Sequence, residues 1–94
     1  MTYVIAKAAN EAIAKEYHAA CVTLARVSGD DRGPFGLTPA HIKATAGWQA
    51  AWNNERRLFG VWRLSNMDMC KNYAAEQKAE REARRAAKLA RLSA

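Results

Sequence analysis

The stretch TAGWQAAWNNERRLFGVWRLSNMDMCKNY, residues 45–73, decides the fold. Within it Trp48, Trp52, Glu55, Phe59, Trp62, Asn66, Met69 and Tyr73 recur at alternating spacings of four and three, which puts them on one stripe of a helix. Thr45 stands just before the run as an N-cap, its hydroxyl available to a free backbone N–H of the first turn. Only Gly60 weakens the interior, by about 1 kcal/mol relative to Ala. No proline follows to stop the helix before the C-terminus. The pattern predicts a long helix beginning near residue 46.

A partner stripe lies upstream. Residues 3–28 contain neither Pro nor Gly, Thr2 is placed as an N-cap, and Gly29 follows as the residue type that tolerates a left-handed backbone past a helix end. Ala6, Asn10, Ile13, Tyr17, Ala20, Leu24 and Val27 share one face, with Lys7, Glu11, Lys15, His18 and Arg26 mostly off it. Laid antiparallel, the two stripes match Val27 with Trp48, Leu24 with Trp52, Tyr17 with Phe59, Ile13 with Trp62, Asn10 with Asn66, Ala6 with Met69, and Tyr3 with Tyr73. Large residues then often face small or medium ones, as interdigitating helices need. The Asn10 and Asn66 layer is a polar pair that fixes register at some cost in stability. The expected fold is all-α, an antiparallel helical hairpin.

Gly29-Asp30-Asp31-Arg32-Gly33-Pro34-Phe35-Gly36 is dense in turn formers and makes the main connection, a loop over 29–37. After it, Thr38 reads as an N-cap, Pro39 as the first helical residue and Leu37 as a staple onto Ile42, giving a short helix over 39–44. Beyond Tyr73 the pattern changes. Residues 74–94, AAEQKAEREARRAAKLARLSA, are strong helix formers whose large apolar residues are Leu89 and Leu92. Glu80 and Arg84 form an i to i+4 pair in the favourable order. The chain thus divides into a hairpin domain, 1–73, and a basic, Ala-rich helical arm, 74–94, which projects past the hairpin or becomes ordered on binding and would reach about 30 Å if fully helical.

Composition excludes several classes of function. At 94 residues the chain holds one domain at most, which rules out an enzyme with a separate cofactor domain. No apolar run reaches the ~20 residues of a membrane span. Lys7, Asn10 and Glu11 occupy the place of a signal peptide's apolar stretch, so a soluble, cytoplasmic protein is expected. Two cysteines are too few for a disulfide scaffold. The net charge is +6, and residues 46–94 carry +5 of it, an imbalance that favours contact with a polyanion, either nucleic acid or an acidic protein face.

Candidate chemistry is sparse. His18 and Cys21 have half the spacing of a zinc site, but in the register above Cys70 lies on the order of 20 Å from Cys21, and His41 belongs to another segment. No metal, cofactor or disulfide is expected. Asp30 and Asp31 read as turn residues. No nucleophile elbow, phosphate loop or facing carboxylate pair occurs, so no catalytic residue is assigned and the chain is read as a non-enzyme. Glu55, inside the aromatic stripe, is the carboxylate whose ionisation burial should disturb, with Tyr17 and Arg56 as neighbours.

The binding candidates are basic and aromatic. Lys78, Arg81, Arg85 and Lys88 fall on one side of the arm, with Arg84 and Arg91 beside them and Glu76, Glu80 and Glu82 diluting the field. Arg56, Arg57 and Arg63 extend this surface along the same long helix. Trp48, Trp52, Phe59 and Trp62 read first as core. Three tryptophans on one helix nevertheless exceed what a single partner helix covers, so the short helix, a second copy or a protein target is expected to cover the rest. A second reading has one or two of the tryptophans, with Phe35, anchoring a partner. Ala75, Ala79, Ala83, Ala86 and Ala90 would let another helix approach, the basis for a homodimer.

Pro34-Phe35-Gly36-Leu37-Thr38-Pro39, then Ile42-Lys43, then Trp48 with Ala51, resembles a pattern in small uncharacterised proteins of proteobacterial phages, prophages and other mobile elements, some of which also end in an Ala- and Arg-rich helix. The resemblance covers roughly residues 33–90, departs at Gly47, and transfers no catalytic residue. It implies a setting in which small binding proteins disable a host protein or ribonucleoprotein complex, as anti-CRISPR proteins do. On that basis the expected function is inhibition of a host complex through the basic helix, in the cytoplasm of a bacterial host. The alternatives are a sequence-tolerant DNA- or RNA-binding protein and an oligomeric scaffold.

Overall fold

Three threonine and glycine positions punctuate the chain, and they show how the helices begin and end. A computed structural model describes residues 2–29 and 37–93. Helix α1 spans Tyr3–Ser28, and Thr2 caps it as expected, its hydroxyl accepting from the Ile5 amide at 3.3 Å. Gly29 ends it with φ 75° but ψ 176°. The positive φ was expected; the extended ψ was not. It puts Gly29 in a backbone region essentially closed to side-chain-bearing residues.

Helix α2 is a single turn, Ala40–Lys43. Pro39, not Thr38, is its N-cap: the Pro39 carbonyl accepts from the Ile42 and Lys43 amides, both at 3.1 Å, and no side chain caps the turn. The expected 39–44 helix is therefore shorter at both ends. Leu37 stays 65% exposed, so it does not staple the turn shut. Thr45 then makes the bend. Its hydroxyl donates to the Ile42 carbonyl at 2.7 Å and accepts from the Trp48 amide at 3.2 Å, closing α2 and opening α3, Ala46–Asn72.

Helices α1 and α3 lie antiparallel in the predicted register. The Tyr3 and Tyr73 rings meet at 5.5 Å at one end, Asn10 donates to Asn66 at 2.9 Å in between, and the Trp48 indole donates to Ser28 at 3.0 Å at the other. The polar layer is larger than expected, because the Asn10 amide also donates to Ser65 at 2.9 Å.

The predicted unbroken helix is interrupted at Tyr73, whose φ −132° and ψ 29° separate α3 from α4, Ala74–Ser93. The break is one residue wide, since the Tyr73 amide still reaches the Met69 carbonyl and the Tyr73 carbonyl still accepts from Gln77. Two contacts hold the new direction: the Tyr3 ring against Tyr73, and Glu80 of α4 against α1. Propensity alone sees neither, because both are tertiary.

Among the described residues the buried apolar side chains are Ala6, Ala20, Leu58 and Met69, joined by Ser28 and Glu55. Leu58 lies outside the predicted stripe, and the aromatics expected as core are not buried. Trp52 and Phe59 are 40% and 37% exposed. The molecule measures 52 × 37 × 17 Å, a slab too thin to place a layer over both sides of the hairpin.

Candidate binding surfaces

The first half of α3 carries a row of rings and cations at helical spacing. Trp48 and Trp52 stack at 5.4 Å and 10°, and the Arg56 guanidinium lies 5.1 Å from both Trp52 and Phe59. Lys43 sits 5.9 Å from the Trp48 ring. Glu55 fixes Arg56 from below, accepting from its Nε at 2.6 Å and its terminal nitrogen at 2.7 Å, and also from the Tyr17 hydroxyl at 3.2 Å. Burial was expected to disturb this carboxyl. The Arg56 hydrogen bonds outweigh it and hold Glu55 below the ordinary carboxylate range. Tyr17 moves the other way: the neighbouring Cys21 thiol first, then burial and Glu55, push the phenol up to about 12. Buried and charge-paired, Glu55 anchors the Arg56 guanidinium, with Cys21 lining the same pocket.

Further along α3, Trp62 stacks on Tyr17 at 5.1 Å and 19°, with His18 tilted against it. Beside this stack Phe59, Trp62, Met67 and Cys70 form an open apolar groove of about 660 Å³, rimmed by Arg63 and Lys71. Met67 is 56% exposed. The groove is a second stripe, offset from the one that faces α1. Its signal was present in the sequence, since Phe59, Arg63, Met67 and Cys70 run at spacings of four, four and three, but the first stripe had already claimed the aromatics.

On α4, Glu80 does not pair with Arg84. It accepts from the Tyr3 hydroxyl at 2.8 Å and from Lys7 at 3.0 Å, clasping α4 to α1. Lys7 first, then Tyr3, lowers the Glu80 carboxyl below its usual range, while Glu80 raises Lys7 and Tyr3. Arg81 and Arg84 line the cleft between α4 and α1 with Lys7. Lys78, Arg81, Arg85 and Lys88 are all exposed, with Glu82 beside them. Among the described residues none of these four has an ion pair.

The predicted basic surface is thus split between two helices that diverge at Tyr73. On α3, Arg56 is committed to Glu55 and two rings, Arg57 donates to Asn54 at 2.9 Å, and Arg63 rims the groove. Phe35, Asp30 and Asp31 lie outside the described residues. Cys21 and Cys70 are free thiols, and among the described residues no three His, Cys, Asp or Glu side chains converge as a metal site would require. No described helix is long and apolar enough to cross a membrane.

No protein-family model, curated protein or solved structure matches the chain.

Proposed function

We propose that the chain is a non-enzymatic binding protein of a phage or other mobile element that disables a host protein or ribonucleoprotein complex, in the manner of anti-CRISPR proteins, with α4 as its electrostatic contact. The observation that carries the reading is the row Lys78, Arg81, Arg85 and Lys88, exposed on one side of α4 with Glu82 beside it and in no ion pair with a described residue. Four cations on one face of a solvated helix suit an acidic protein face or a guide-bearing complex.

The test is affinity capture from a bacterial lysate, with and without nuclease, followed by mass spectrometry. A discrete protein or ribonucleoprotein that survives nuclease, and is lost by about tenfold or more with Arg81→Glu and Arg85→Glu while the circular dichroism spectrum is unchanged, supports the proposal. Recovery of bulk nucleic acid alone, lost on nuclease treatment and falling steeply with salt, assigns the chain to sequence-tolerant DNA or RNA binding. Concentration-dependent self-association with no partner assigns it to a scaffold role.

A further inference from the structure

Gly60 sits in the middle of a 27-residue helix, where glycine costs about 1 kcal/mol relative to Ala. Among the described residues nothing requires it: a Cβ built there meets no atom within 4 Å beyond its chain neighbours and the adjoining helix backbone. By helical periodicity Gly60 shares a face with Arg63, Met67 and Lys71, three, seven and eleven residues on. Those residues form one wall and the rim of the apolar groove beside Phe59 and Trp62. An apolar groove flanked by an outward glycine is the surface a second helix needs to bring its backbone close to α3.

Charge identifies what kind of helix fits. The groove's ionisable rim is Arg63 and Lys71, with no carboxylate among its lining residues. Every long helix of this chain is itself cationic: α1 carries +1, α3 +2 and α4 +3. A second copy laid across the groove would bring Arg63 and Lys71 against like charges, which costs affinity. We propose that the outward face of α3 running from Gly60 at one end to Lys71 at the other is a docking groove for an amphipathic helix of a partner protein, with an apolar stripe flanked by Asp or Glu. The apolar stripe fills the space between Phe59, Trp62 and Met67, and the acidic flanks meet Arg63 and Lys71.

The inference rests on the reading of the chain as a binding protein but not on α4, so the two fail separately. The probes are two fluorescein-labelled model helices of about five turns, each with Leu at the a and d positions of a heptad, one flanked by Glu and one by Lys, titrated against the intact protein by anisotropy. The Glu-flanked helix should bind and the Lys-flanked one should not. Gly60→Leu, which fills open space and strengthens the helix, should keep the fold by circular dichroism and weaken binding by about tenfold or more. Arg63→Glu with Lys71→Glu should reverse the preference, while Arg81→Glu with Arg85→Glu should leave it alone. Equal binding of both helices, or no effect of Gly60→Leu, overturns the proposal. So does a dimer in light scattering that Gly60→Leu dissociates, since the occupant is then a second copy.

Discussion

Glu55 illustrates how one side chain is set by competing terms. Burial favours its protonated form, whereas the Arg56 guanidinium and the Tyr17 hydroxyl favour the carboxylate, and they prevail. Because the folded carboxyl ionises below its ordinary value of 4.5, its contribution to stability is complete above that pH and fades as pH falls through the depressed value. Glu55→Gln should cost about 1–3 kcal/mol near neutrality, and the gap from wild type in urea denaturation should narrow on acidification below pH 4.5. A gap that stays constant with pH would show that Glu55 acts by shape alone. The neighbours of Glu55 could be named from the sequence, because i to i+1 proximity and the antiparallel register both point to them. The sign of the shift could not, since it depends on distances of 2.6 to 3.2 Å that spacing does not specify.

At the scale of elements, α1 and α3 hold each other and α4 is held at one end. Its semi-buried residues, Gln77 and Glu80, lie in its first two turns, and every described residue from Arg81 onward is exposed. Local opening free energy follows such packing. Amide exchange in α4 beyond Arg84 should therefore run well ahead of exchange in α3 between Glu55 and Met69, by a few orders of magnitude where α3 opens only globally. Glu80→Gln removes the charge that Lys7 pairs with. It should widen the distance distribution between spin labels on α1 and the end of α4 without moving exchange in α3; an unchanged distribution would place the restraint in the Tyr3 and Tyr73 contact instead. The hairpin was legible from periodicity, since Trp48 to Tyr73 and Ala6 to Val27 repeat at the period of the helix itself. The Tyr73 break was not, because Tyr73 and Ala74 are acceptable helix residues and the interruption is held by partners 70 or more residues away.

The whole molecule is a two-helix slab with an arm, and it leaves apolar side chains in water: Val4, Val22, Leu64 and Met67 are each more than half exposed. With four apolar residues buried among those described, the free protein should be of marginal stability for its length. If α3 is reserved for a foreign acidic helix, the melting midpoint of the chain alone should not depend on protein concentration, and should rise when the Glu-flanked helix is added. A midpoint that climbs with concentration would instead report pairing of like chains. The exposed groove also explains why the aromatic stripe misled: its periodicity identifies a face that wants cover, and one neighbouring helix covers only a strip of it.

The sequence by itself determined the helical class, the antiparallel register and the basic second half, because these follow from period, capping residues and charge, all local properties of the chain. Tertiary structure alone decided the turn at Tyr73, the Glu80 clasp to Lys7 and Tyr3, the commitment of Arg56 to Glu55, and the opening of the groove beside Gly60. Each of these is a choice among partners that the sequence permits equally, and only the distances in the folded chain select one.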